Sequence, residues 1–274
     1  MPDDSPVPRA PGQSLAPRDP GSPVARLQQR TPARLLVGRA GTGYRTATQL
    51  SLRQDHAAAM DAVRREIDPA VDFGQDFVSR HPLVCVSSSA TSKSEYLLRP
   101  DLGRVLSAVS RVATQQQCKA NADLQFVIGD GLSVAAVCRQ VPVLLPLLEA
   151  AAAAEGWTIG NTVFVRYARV GIMNDLGELL TPKVIVLLIG ERPGLATDES
   201  LSTYMAYRPR AGHSDADRNL ISNIHDAGVP AALAAPRIMA LAKQMMAAQT
   251  SGTAVKEKLP ELTLGPQSWR LGLE

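Results

Sequence analysis

Hydrophobic positions in this chain recur in short blocks separated by turn residues. One block is Val184-Ile185-Val186-Leu187-Leu188-Ile189, six apolar residues in a row. A run this short and rich in β-branched side chains predicts a strand buried on both faces. It stops at Gly190-Glu191-Arg192-Pro193-Gly194, where two glycines and a proline predict a turn. Residues 83–86, 124–128 and 162–167 predict three more strands. Between the strands, apolar residues fall at helical spacing. A helix over 46–67 would bury Leu50, Ala57, Met60, Val63 and Ile67, with Arg53, Asp61, Arg64 and Arg65 outside. Asp101 is placed to cap a helix with Leu102, Val105, Leu106 and Val109 inward. A long apolar helix follows residue 133, with a break expected at Pro142 and Pro146. A short helix is expected over 175–180. Residues 217–223 read as a polar helix start. The last helix, over 231–249, carries an apolar stripe of Ile238, Leu241, Met245 and Met246.

Strands alternating with helices predict an α/β fold, a mostly parallel sheet with helices on both faces, preceded by an N-terminal helical segment. The loops after three strands then lie along one edge: Asp130-Gly131-Leu132-Ser133, Arg169-Val170-Gly171 and Gly190 to Gly194. The carboxyl edge of such a sheet is where ligands bind. Glu191 and Arg192 stand at that point.

The ends of the chain lack this pattern. Residues 1–32 hold eight of the twenty prolines and no apolar period, which reads as a disordered tail. Residues 33–80 form the helical segment, 81–250 the sheet domain, and 251–274 a mobile extension. The prolines count against a docking or targeting helix in the tail.

Composition narrows the function. Apolar residues make up 45 % and charged ones 20 %, as in a soluble globular protein. A net charge of +3, with no basic stripe carrying aromatics, gives no support to nucleic-acid or membrane-surface binding. No unbroken apolar run reaches a membrane span, and the first residues lack a basic-then-apolar pattern, so export is not expected. Cys85, Cys118 and Cys138 read as buried free thiols of a cytoplasmic protein. The four histidines do not cluster, and metal-ligand spacings and a G-x-S-x-G turn are missing. Gly38 and Gly43 have P-loop separation, yet Tyr44 stands where the phosphate lysine belongs, so a tight structural turn is expected. Hydroxyl-rich Ser87 to Ser92 reads as a solvated turn.

Four blocks carry a family resemblance: Val37-Gly38-Arg39-Ala40-Gly41, Ile128 to Ser133, Leu188 to Leu195 (LIGERPGL) and Asp217 to Ile224 (DRNLISNI). In order and spacing they resemble the small (light) subunit of ethanolamine ammonia-lyase over residues 34–251. The resemblance implies a Rossmann-like domain in an adenosylcobalamin-dependent enzyme that converts ethanolamine to acetaldehyde and ammonia by a radical mechanism. It implies a catalytic large subunit as partner, a six-plus-six hetero-oligomer, and a small subunit with no catalytic residue of its own. It also implies cytoplasmic residence, with a bacterial microcompartment as the more specific address.

Family cobalamin contacts match Val170, Glu191 and Leu220. Val170 and Glu191 keep the family residue, whereas Leu220 departs from it, since relatives can carry Cys there. Glu191 would accept hydrogen bonds from corrin amides, or alternatively pair with Arg192 or Arg218. Asn223-Ile224-His225-Asp226-Ala227-Gly228 resembles the D-x-H-x-x-G signature of proteins whose histidine ligates cobalt, but Asn223 replaces the aspartate, so His225 is expected at a surface turn. Two rival readings stay open. One is a non-catalytic scaffold. The other is a free-standing Rossmann nucleotide-binding enzyme, for which neither glycine pattern fits.

Overall fold

The computed structural model describes residues 22–30 and 33–257. The elements in chain order are α1 (Pro23–Gln29), β1 (Arg39–Ala40), β2 (Gly43–Tyr44), α2 (Thr46–Arg64), α3 (Pro69–Asp72), α4 (Gln75–Arg80), β3 (Leu83–Ser87), α5 (Lys93–Leu98), α6 (Ala108–Gln117), β4 (Leu124–Gly129) and α7 (Val134–Ala154). They continue with β5 (Thr162–Arg166), α8 (Ile172–Leu180), β6 (Val184–Gly190), β7 (Leu201–Tyr207), β8 (Asn219–Ile224) and α9 (Ala231–Ala248).

Six strands form one sheet in the order β3-β5-β4-β6-β7-β8. The first four are parallel, and β7 and β8 add antiparallel. The sheet is therefore α/β and mostly parallel, as the alternation predicts. Side chains alternate across it. Val184, Val186 and Leu188 of β6 join one core with α7, α9 and Ile67, Phe73 and Phe77 of the N-terminal segment. Ile185, Leu187 and Ile189 join the opposite core with α8. Each fully buried Leu or Phe contributes about 1.5–3 kcal/mol.

Several elements differ from the sequence reading, each for a physical reason. Helix α1 lies inside the stretch read as an unstructured tail, because Ser22 caps it and Pro23 opens it. The rest of that tail and residues 258–274 lie outside the described residues. Helix α2 forms, but Leu50 (58 % exposed) and Met60 (37 %) face outward while Thr48, Ala59 and Ala62 are buried. Its smaller side chains make the contact. The helix expected at Asp101 splits into a 3-10 turn at Leu102–Arg104 and α6, which Ser107 caps and which leaves Val109 outside.

The loop read as a solvated turn is partly interior, with Ser88 and Ala90 buried, and it leads into α5, which Ser92 caps. Helix α7 runs unbroken through Pro142 and Pro146, since its buried face, including Leu144, Leu145 and Leu148, outweighs the two lost backbone bonds. By length and composition alone it could cross a membrane, yet those residues are core.

Residues 219–224 form strand β8 rather than a helix; Asp217 instead completes a capping box with Ser214 on a 3-10 turn. After Ser251 the chain continues as a turn at Gly252–Ala254 and buries Val255. The cysteines are free, but Cys85 is exposed on the edge strand β3 and the other two are half-buried. Gly41 supplies the positive φ of the β1–β2 hairpin, the tight turn expected there.

Candidate functional site

Strand β4 pairs with both β5 and β6, so the loops after these three strands meet at one edge. They approach backbone to backbone. A Cβ on Gly131, at φ +59°, would lie 2.5 Å from the Gly190 carbonyl oxygen, and one on Gly190 would lie 2.0 Å from that of Ser133. Only glycine allows this closeness.

Asp130 fixes the β5 loop from behind. It is 1 % exposed and accepts hydrogen bonds from the backbone N–H groups of Tyr167 (2.8 Å) and Ala168 (2.9 Å). Lys93, also buried, places its ammonium 3.9 Å from this carboxylate and donates to the Gly131 carbonyl at 3.2 Å. Burial pushes the Asp130 carboxyl up and the Lys93 ammonium down from their ordinary pKa values, and their mutual attraction opposes both shifts. One turn along α5, the Tyr96 hydroxyl donates to the Ala168 carbonyl at 3.0 Å, and the Arg169 guanidinium lies 4.3 Å over the Tyr96 ring. Burial holds the Tyr96 phenol well above its usual range. The result is a braced platform under Val170.

Above it opens a cleft of about 330 Å³. Its lining includes Tyr96, Leu132, Val170, Glu191, Tyr204 and Leu220. The three residues singled out by the family pattern, Val170, Glu191 and Leu220, thus come together from β5, β6 and β8. Glu191 is held by its own carboxylate. Its Oε1 accepts from the Ser202 hydroxyl (2.7 Å) and the Asn223 N–H (2.8 Å). Among the described residues it makes no ion pair, so the pairing with Arg192 or Arg218 is not the arrangement found. The loop beyond it is pinned elsewhere: Ser133 Oγ donates to the Asp198 carbonyl, and Arg34, paired with Asp55, donates to the Leu195 carbonyl at 2.6 Å.

A second, more polar cleft of about 650 Å³ adjoins the first and shares Arg169, Val170 and Tyr204 with it. Arg218 lines it with its side chain 6 % exposed, paired with Asp215 and donating to Asn174 Oδ1 at 3.1 Å.

His225 is not the surface residue expected. It is 5 % exposed, and its Nε2 lies 2.8 Å from Asn223 Oδ1. A Cβ on Gly228 would lie 2.7 Å from that same nitrogen, so the glycine lets the turn close over the ring. Asn223 Oδ1 thus engages this nitrogen. Among the described residues no group of three or more His, Cys, Asp or Glu is arranged to hold a metal.

Sequence reasoning missed Tyr96, Lys93, Ser202 and Tyr204. The first two follow from the missed α5, whose signal was present as Ser92-x-x-Glu95, a helix-start pattern. The other two lie on β7, which has no clean alternation.

Comparison with known proteins bears on the same residues. Residues 21–256 match the family described as ethanolamine ammonia-lyase light chain. The chain belongs to that family. It is 41 % identical over 230 residues to the ethanolamine ammonia-lyase small subunit of Clostridium perfringens, covering 84 % of this chain and 76 % of that one. The small subunit of Pseudomonas syringae pv. tomato is 39 % identical over 246 residues, 89 % of this chain and 86 % of the relative. That of Fusobacterium nucleatum is 40 % identical over 231 residues, 84 % and 76 % respectively. The ethanolamine ammonia-lyase light-chain match therefore includes every strand of the sheet and both clefts.

Proposed function

We propose that this chain is the cofactor-covering subunit of an adenosylcobalamin-dependent ethanolamine ammonia-lyase and works only with a large subunit. The observation that carries the reading is the meeting of Val170, Glu191 and Leu220 on one open cleft at the carboxyl edge of the sheet. The lining suits a corrin. Leu132, Val170, Ile189 and Leu220 offer apolar surface, while Glu191, Arg169 and Tyr204 offer acceptors and donors for amide side chains. Glu191 uses one oxygen on the protein and keeps the other for a ligand.

Adenosylcobalamin, when bound, supplies the radical chemistry of the reaction. This chain's residues do the rest of its share: Val170 and Leu220 seat an apolar edge, Glu191 fixes orientation by accepting hydrogen bonds, and the platform on Asp130 keeps the seat rigid. The cleft is open, with Leu220 47 % exposed, which leaves room for a second protein surface to close it. The large subunit is that surface, and it brings the ethanolamine site. The six-plus-six assembly and residence in the cytoplasm or a microcompartment belong to this proposal through the family alone.

The test is ammonia release from ethanolamine by the chain alone, by the large subunit alone and by the mixture with adenosylcobalamin. Activity only in the mixture is expected. In the assembled complex, Glu191→Ala should weaken cobalamin binding about tenfold without dissociating the subunits. Unchanged affinity would favour the scaffold reading.

A further inference from the structure

The chain turns towards Val170 at a residue in an uncommon conformation. Tyr167, just past the end of β5, has φ +59°. The left-handed region is costly for a bulky side chain, and such outliers concentrate where a site needs them. Asn223, which holds Glu191 through its N–H, is another at φ +61°. Both stand behind residues that form the corrin cleft.

Part of what holds Tyr167 comes from the N-terminal segment. Its hydroxyl donates to Glu66 Oε1 at 2.7 Å, 101 residues earlier. Glu66 Oε2 lies 3.7 Å from Arg166 Nη1, and Arg166 Nη2 donates to the Ile67 carbonyl at 3.3 Å. Ile67 is buried in the core that includes α7, so the anchor is fixed. The ion pair of Arg166 with Glu66 is exposed on both sides and adds little by itself, which leaves the hydroxyl bond as the directional contact. The Tyr167 ring is buried and stacks on Tyr96 with centroids 6.2 Å apart. A phenylalanine would keep that packing, so the hydroxyl serves the bond and not the core. Burial first, then the Glu66 carboxylate, pushes the phenol up to about 12, and it stays a donor at neutral pH.

We propose that Tyr167 and Glu66 are a positioning pair: their hydrogen bond sets the direction in which the chain leaves β5 and so places Val170 in the corrin cleft. The inference rests on the cofactor reading above. Neither residue lines the cleft, so the pair acts through Val170. Helix α2 buries only Thr48, Ala59 and Ala62 of its nineteen residues, so a partner seated on its open face is connected to the cleft through Glu66.

The experiment uses the complex with the large subunit and cyanocobalamin as the probe, with binding read by absorbance. Tyr167→Phe removes the hydroxyl and keeps the ring. Glu66→Ala removes the acceptor, and Glu66→Gln keeps an acceptor oxygen without the charge. Tyr167→Phe and Glu66→Ala should each weaken cyanocobalamin about fivefold, the size set by one hydrogen bond, and the double variant no further. Glu66→Gln should stay within about twofold of wild type. Hydrogen exchange over residues 168–170 should quicken in Tyr167→Phe and Glu66→Ala while the rest of the sheet is unchanged, a readout that needs no cofactor. Additive losses, a Glu66→Gln complex as weak as Glu66→Ala, unchanged exchange, or unchanged affinity despite quicker exchange would each overturn the positioning role. Should the wild-type complex bind no cyanocobalamin, the cofactor reading falls, and exchange alone decides whether the pair sets the turn.

Discussion

Replacing Asp130 by Asn tests the platform under Val170. The substitution keeps size and shape. It removes the charge that faces Lys93 at 3.9 Å and turns one acceptor into a donor against the N–H of Tyr167 or Ala168, at 2.8 and 2.9 Å. A hydrogen bond to a charged group is worth about 1.5–3 kcal/mol. Stripping one partner from a buried ion pair costs about 3–5 kcal/mol, because the other charge stays buried. These overlap, since the same carboxylate supplies both, so the expected loss is about 3–5 kcal/mol rather than their sum. Lys93 keeps its bond to the Gly131 carbonyl, which places the value towards the lower end.

The assay is urea unfolding of Asp130→Asn, of Lys93→Met and of the double variant. The double variant should be more stable than the two single losses add to, by at least about 1 kcal/mol, because it leaves no orphan charge. Hydrogen exchange at the Tyr167 and Ala168 amides should quicken in Asp130→Asn beyond the global change. A loss under about 1 kcal/mol, or strict additivity, would refute the platform argument.

Two further predictions are independent of it. The hydrogen bond from Lys183 and the Thr158 N–H hold Asp123 down at about 2 against an ordinary 3.8. The folded pKa is depressed, so this stabilisation is present above pH 3.8 and is lost as pH falls towards 2; acid titrations of Asp123→Asn should lack that share of the loss, and a curve parallel to wild type would count against the pairing. Leu220→Cys places a thiol at a position 47 % exposed, so stability should change by no more than about 0.5 kcal/mol. A maleimide should label the new thiol in the free chain and slowly in the cobalamin-loaded complex, read by peptide mass; equal rates would remove Leu220 from the site.

Legibility in the sequence followed burial. The strands of the parallel half were readable because β4, β5 and β6 are interior on both faces, so a continuous apolar run has one meaning there. Strand β8 was not readable. Its Leu220 and Ser222 face the open cleft while Ile221 and Ile224 are buried, and DRN before it imitates a helix start. The seat of Glu191 was visible from the turn after β6, but its partners, Ser202 and the Asn223 N–H, come from the antiparallel half and depend on tertiary register. Helix α2 shows a similar limit. Periodicity gives the helix, but which face is covered depends on what packs there, and here small residues won.

The bond from Arg34 to the Leu195 carbonyl, 161 residues later, ties the segment before α2 to the loop that follows Glu191. Trimming the chain to begin at α2 would discard that tether together with the proline-rich stretch. A protein that begins at α2 would keep the residues of both cores and nearly all of its helix, and would pass as native by circular dichroism. Its Glu191 loop would nevertheless be held from two directions instead of three, so functional comparison among preparations should be made between chains that begin before Arg34.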